Sequence, residues 1–215
     1  MRNQPTNKEA YLNSLFNLDD PVLTEIEHQL KHDDRWGINI GAHEVSILSY
    51  IIKSNNIKTI LEVGTLYAFS TYGMALALPE GGHITSLEKD AKTHQIAKGL
   101  ISGSPQSNKI KLINCDAKAH LHEETNKYDL IFIDANKSGY LDYLNLSLSL
   151  LNSHGTIIGD NTFLFGNVYG EGKSNMSDKN IEIMKEFNRT LISNKDYVVT
   201  MLPTKEGMTL IKKLI

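Results

Sequence analysis

The chain is poor in cysteine, proline and tryptophan, with one, five and one of each in 215 residues. A lone thiol, Cys115, closes no intramolecular disulfide and builds no zinc cluster, so a reducing, cytoplasmic setting is expected. No apolar run approaches the roughly 20 residues that span a bilayer. The opening MRNQPTNKEA also lacks the apolar stretch of a secretion signal. Excess basic charge is missing too: a net charge of -3 and a pI near 6.2 give no broad positive field for nucleic acid or an anionic membrane. A small soluble partner is expected instead. Neither the dinucleotide fingerprint G-x-G-x-x-G nor the P-loop G-x-x-x-x-G-K-[ST] occurs. There are no repeats, linkers or low-complexity segments.

What is present suits one α/β domain over residues 1–215, since 40% hydrophobic composition at this length fills a single large core. Residues 8–31 carry apolar positions at helical spacing (Leu12, Leu15 and Phe16, then Val22, Leu23, Ile26 and Leu30), and the DDP between them is a helix-start signal. A third helix follows RWGINIGAHE, with Val45, Leu48, Ile51 and Ile52 as its apolar face. Strands are then expected at 58–63, 83–88, 109–114, 128–134 and 155–160, separated by helices at 70–78, 90–102, 117–124 and 139–151. Regular alternation of this kind predicts a mostly parallel sheet with helices on both faces. After a Gly-rich stretch and a helix at 179–193, the segments DYVVTMLP and GMTLIKKL are joined by TKEG, too short for a crossover helix. They should form a C-terminal antiparallel hairpin, the sixth and seventh strands.

Polar residues collect where the expected strands end, which is the edge at which open α/β sheets bind ligands. LEVGTLYAFS turns the first strand into its helix: Gly64 lets a ligand approach the backbone, and Ser70 opens the helix, although a plain tight turn is an equal reading. Glu62 lies within that strand. Glu88 ends the second and suits a pair of ribose hydroxyls, or solvent. Asp116 and Ala117 follow the third, placed for a purine and equally for a helix N-cap. The fourth ends in Asp134 and the fifth in Asp160 and Asn161. Two carboxylates and an amide oxygen at neighbouring strand ends repel unless neutralised, and an all-oxygen set suits Mg²⁺, Mn²⁺ or Ca²⁺ better than zinc. Lys137, three residues past Asp134, would stand beside such a cation as a general base. Scattered loop acids and a surface lysine are the alternative.

Together, Glu-x-Gly after the first strand, the acid ending the second, Asp-Ala after the third, DANK after the fourth and GDN after the fifth resemble the cation-dependent class I O-methyltransferases, the catechol and caffeoyl-coenzyme A group. The resemblance runs from AYLNSLF and DDPVLTEI to MLPTKEGMTLIKKL. It implies the Rossmann-like methyltransferase fold, with the helices of residues 1–56 covering a cofactor- and metal-binding core at 57–215. It also implies S-adenosylmethionine as cofactor, contacted by Ile40, Glu62, Gly64, Thr65, Ser70, Glu88, Asp116, Ala117, Asp134 and Asn136. Asp134, Asp160 and Asn161 match the family's metal ligands and Lys137 its general base. Trp36 matches an aromatic wall for the acceptor, a small catechol-like or hydroxycinnamoyl diol. A homodimer is implied as well. Two positions depart from the family pattern: Ala68 stands where a second glycine is common, and Asn136 where an Asp is common.

Rival readings fit less well. An N-methyltransferase on nucleic acid or protein usually carries Asn/Asp-Pro-Pro-aromatic after the fourth strand, and DANK is not that motif. A nicotinamide oxidoreductase lacks its glycines. A methyltransferase-like scaffold without activity would account for Ala68 and Asn136, yet it has no need of the acid cluster and Lys137. The Gly-rich stretch 166–178 is expected to act as a lid near the acceptor.

Overall fold

The computed structural model describes residues 7–16, 19–172 and 176–214. Along the described chain run α1 (Asn7–Leu15), α2 (Pro21–His32), α3 (Ala42–Ser54), β1 (Thr59–Val63), α4 (Phe69–Ala77), β2 (His83–Glu88), α5 (Ala91–Ile101) and β3 (Ile110–Asn114). They continue with α6 (Ala117–Glu123), β4 (Tyr128–Ile133), α7 (Tyr140–Ser149), β5 (Leu151–Asp160), α8 (Asp178–Ser193), β6 (Tyr197–Leu202) and β7 (Met208–Lys213). The sheet has seven strands. Contacts divide the chain into two compact units, residues 1–59 with 65–115, and residues 60–64 with 116–215.

In the first unit the DDP signal acts as expected. Asp20 caps α2 by accepting hydrogen bonds from the Val22 and Leu23 N–H groups at 2.8 and 3.2 Å, and Pro21 occupies the first helical position, where no N–H is needed. Leu23, Ile26 and Leu30 are buried on one face of α2, and Val45, Leu48, Ile51 and Ile52 on one face of α3. The expected apolar face of α1 is different: Leu15 and Phe16 are exposed, and the segment meets α3 at its edge, Asn13 Oδ1 accepting from the His43 N–H at 3.3 Å and the Phe16 ring lying 5.2 Å from that of His43. Strands β2 and β3 pair in parallel from Ile84↔Ile110 to Glu88↔Asn114.

The second unit holds the strand order β1-β4-β5-β7-β6. Pairing is parallel between β1 and β4 and between β4 and β5, and antiparallel for β5 with β7 and for β7 with β6. The hairpin forms as expected, with β7 inserted beside β5. One boundary moves: β5 begins at Leu151, not 155, because Leu151 pairs with Tyr128 before a register shift, so α7 stops at Ser149. Leu130, Ile131, Phe132 and Ile133 are all fully buried, as are Ile157 and Ile158. A strand covered on both faces reads as an unbroken apolar run. Each such side chain contributes roughly 1.5–3 kcal/mol, and polar groups are tolerated only where the run ends. Beyond β5, residues 164–169 form a kinked 3₁₀ turn closed by the Glu171 N–H on the Gly166 carbonyl at 3.0 Å. Residues 173–175 of the expected lid lie outside the described residues.

Truncating the centre of this run tests the packing. Phe132→Ala should lower unfolding free energy by about 3–5 kcal/mol in urea titrations; a loss under about 1 kcal/mol would show that the strand is not the close-packed element described.

Candidate active site

The second unit builds its polar centre from strand register. Ile133 on β4 pairs with Gly159 on β5, so the residues that follow, Asp134 and Asp160, leave two adjacent strands at one level. Neighbouring strands run about 4.8 Å apart, which brings the two carboxylates to one edge. Asp160 is fully buried and Asp134 half-buried. Asn161 follows with φ of 54°, a left-handed conformation in which asparagine is enriched, and it too is buried. Its side-chain oxygen has no hydrogen-bond partner among the described residues. Leaving such an acceptor unsatisfied costs about 1–3 kcal/mol, and a hard cation is the natural group to meet it. No group of three or more His, Cys, Asp or Glu side chains among the described residues is placed to hold a metal ion; the set here is two acids and an amide.

Lys137 is brought to the same place. Its amine donates to the Tyr140 hydroxyl at 2.6 Å and to the Asp160 backbone carbonyl at 3.0 Å. The Tyr140 hydroxyl in turn shares its proton between the carbonyls of Asp160 (2.5 Å) and Ile133 (3.0 Å), tying together the two strands that carry the acids. Its ring is buried edge-on against Phe187. Burial first, and then the Asp134, Asp160 and Glu206 carboxylates, push the Tyr140 phenol well above its ordinary pKa, so it stays a neutral donor. Asn136 is exposed and engaged locally: its amide accepts from the Tyr143 hydroxyl at 2.7 Å and donates to the Ser138 hydroxyl at 2.7 Å. It braces the turn after β4.

Gly64 fits a requirement no other residue meets. Its φ is +103°, and a Cβ there would stand 2.1 Å from the Asp134 carbonyl oxygen. Glu62 is wholly buried in β1. Asp116 caps α6, accepting from the Lys118 and Ala119 N–H groups at 3.0 and 3.2 Å, with half-buried Ala117 as the first helical residue.

In the first unit, Glu88 accepts from the Leu66 N–H at 3.0 Å and the Asp90 N–H at 2.9 Å, one bond to each oxygen. A carboxylate retains further lone pairs when so held. Thr65 is buried with its hydroxyl bonded to that of Ser86 at 2.6 Å, and its carbonyl accepts from the Ala68 N–H at 2.8 Å. Ser70 is buried in the first turn of α4. Ala68 has φ of 68° and is fully buried. A left-handed alanine costs roughly 1–2 kcal/mol, and burial of its methyl group returns about 0.8 kcal/mol, so alanine is tolerated where glycine is common. Ile40 is buried and Trp36 half-buried, its ring meeting Phe69 edge-on at 5.5 Å.

Sequence reasoning missed three residues. Tyr140 had a usable signal, since it follows Lys137 by three positions, the spacing of neighbours on a helical turn. Glu206, in a link that reads as a polar loop, is buried at 1% exposure, and nothing in the sequence marks it. Tyr67 looks like one more apolar residue of a turn. It is also buried, but its hydroxyl donates to Asp33 at 2.6 Å.

Comparison with known proteins identifies the family and the fold. The sequence profile of the O-methyltransferase family matches residues 13–214. A caffeoyl-CoA O-methyltransferase of Populus kitakamiensis is 30% identical over 192 residues, covering 86% of this chain and 82% of the relative. A catechol O-methyltransferase of Niastella koreensis is 29% identical over 198 residues, covering 90% and 88%. The crystal structure of the O-methyltransferase from Bacillus cereus in complex with SAH shares the fold, with a TM-score of 0.86 at 23% identity and coverage of 97% and 98%. The chain belongs to the O-methyltransferase family, and its mixed seven-stranded sheet is the Rossmann-like methyltransferase fold.

The close approach at Gly64 is directly testable. Gly64→Ala should cost at least about 3 kcal/mol of stability, from left-handed strain and the clash with Asp134 combined. Retention of the wild-type melting temperature would show that the turn can move aside.

Proposed function

We propose that this chain is an S-adenosylmethionine- and divalent-cation-dependent O-methyltransferase acting on one of two vicinal hydroxyls of a small aromatic acceptor, catechol-like or hydroxycinnamoyl. The observation that carries the reading is the buried oxygen of Asn161, without a hydrogen-bond partner among the described residues and next in sequence to Asp160, which follows Gly159 as Asp134 follows its register partner Ile133. An all-oxygen set suits Mg²⁺, with Mn²⁺ and Ca²⁺ also compatible. Asp134, Asp160 and Asn161 would hold the cation. Glu62, Gly64, Thr65, Ser70, Glu88, Asp116, Ala117, Asp134 and Asn136 would serve the cofactor, with Ile40 over it and Trp36 against the acceptor ring. The Bacillus cereus neighbour was solved with SAH, which supports the choice of cofactor.

When bound, the cofactor supplies an electrophilic methyl group and the cation a Lewis acid that acidifies the acceptor hydroxyl. The residues of this chain supply positioning and proton transfer. Lys137, held on one side by Tyr140 and the Asp160 carbonyl, keeps its amine at the acidic edge and takes the proton of the acceptor hydroxyl. Tyr140, protonated throughout, keeps that amine in place. A small acceptor agrees with the net charge of -3, which offers little to nucleic acid. No helix among the described residues is long and apolar enough to cross a membrane. A cytoplasmic homodimer completes the proposal on the strength of the resemblance.

Calorimetric titration with S-adenosylmethionine in excess Mg²⁺, repeated with chelator, tests the first half: saturable binding is expected, and no heat under either condition would give the lead to the scaffold reading. For catalysis, Asp160→Ala should abolish metal-stimulated methylation across a panel of aromatic diols; wild-type turnover that persists in chelator would remove the cation from the account. Lys137→Ala should lower kcat by about 10²–10⁴ with cofactor affinity unchanged. An equal loss of cofactor binding would show that Lys137 is not primarily a base.

A further inference from the structure

The first unit contains a polar junction that neither the family pattern nor the proposed chemistry uses. At the C-terminal end of α2, Asp33 accepts the Tyr67 hydroxyl at 2.6 Å and the Gln29 side-chain amide at 2.9 Å on one carboxylate oxygen, while its other oxygen lies 2.9 Å from His32 Nδ1. Tyr67 belongs to the turn between Gly64 and Ser70, and the residue before it, Leu66, donates its N–H to Glu88. The turn is thus fastened at consecutive positions to two acids, one ending β2 and one ending α2. Beside the junction the Arg35 guanidinium lies 5.9 Å from the centre of the Tyr67 ring and reaches the Thr93 hydroxyl at 3.4 Å. The chain leaves α2 through a left-handed Asp34 (φ 54°) and goes straight into the turn that carries Trp36, whose ring meets Phe69 of α4.

We propose that Asp33 and Tyr67 form a clasp that holds the segment from Asp33 to Ile40 against the Thr65–Ser70 turn and thereby sets cofactor affinity. Both are positioning residues, and the proposal rests on the cofactor reading given above. A fold needing only permanent attachment here would be served by apolar packing. A single charge-assisted hydrogen bond between a half-buried carboxylate and a phenol instead fixes direction while remaining breakable. Trp36 stands three residues from Asp33 and is the sole tryptophan, so its fluorescence reports the state of the clasp.

The test uses the full-length protein, with Tyr67→Phe, Asp33→Asn and the double variant. Two quantities are read: the Kd for S-adenosylhomocysteine, and acrylamide quenching of Trp36 with and without that ligand. Each single variant should weaken binding about three- to tenfold, and the double variant no further than either alone, because one shared contact is lost. Trp36 should become more accessible in the unliganded variants. Wild-type Kd values, or additive effects in the double variant, would overturn the clasp, as would a lower melting temperature with binding and quenching unchanged, which marks a purely structural contact. If the wild-type protein binds no S-adenosylhomocysteine, the cofactor reading fails. Quenching alone then decides, and unchanged Trp36 accessibility in Tyr67→Phe overturns the clasp. Asp33→Asn supplies an independent answer should Tyr67→Phe fold poorly.

Discussion

The parallel register of β4 and β5 is the constraint on which the polar centre depends. The second halves of both strands, Leu130 to Ile133 and Ile157 to Gly159, are fully covered and carry no charge, and they reach the same level, Ile133 beside Gly159. Two carboxylates therefore emerge together, and Tyr140 ties the strands at that point by bonding to a carbonyl of each. Lys137 is held by the same hydroxyl. A slip of one residue in this register would turn the acids into opposite faces of the sheet and separate them from the lysine.

Strain gathers around the functional turns. Gly64 has a backbone conformation that side chains rarely adopt, and Leu66, Ala68 and Asn161 are left-handed without being glycine. The three non-glycine residues cost of order 1–3 kcal/mol each and persist only where the surroundings over-determine them. Those surroundings are visible: the Asp134 carbonyl behind Gly64, Glu88 on the Leu66 N–H, and Gly207 and Glu206 accepting from the Thr162 and Phe163 N–H groups just past Asn161. The hairpin link that reads as an ordinary polar loop is thus fastened to the end of β5.

Much of this was legible from residue order alone. Strand-helix alternation, the Asp20 cap, the C-terminal hairpin and the end-of-strand acids all follow from local rules, since periodicity and turn chemistry are local properties. Long-range pairing was not legible. The early start of β5 depends on Leu151 finding Tyr128, the burial of Glu206 on the link folding against β5, and the Asp33–Tyr67 contact on two elements 34 residues apart. The exposure of Leu15 and Phe16 has the same origin: helical spacing says which residues share a face, and only tertiary packing says whether the face is covered. At Ala68 the sequence marked a departure, and the left-handed backbone angle shows why glycine is favoured there and what alanine costs.

The central claim is that Asp134, Asp160 and Asn161 together form a cation site. Anomalous difference maps from crystals soaked in Mn²⁺ test it most directly. The account predicts one strong peak within coordination distance of a side-chain oxygen from each of the three residues. Mn²⁺ bound elsewhere, or no peak at saturating metal, would contradict it and leave the buried Asn161 oxygen to another explanation.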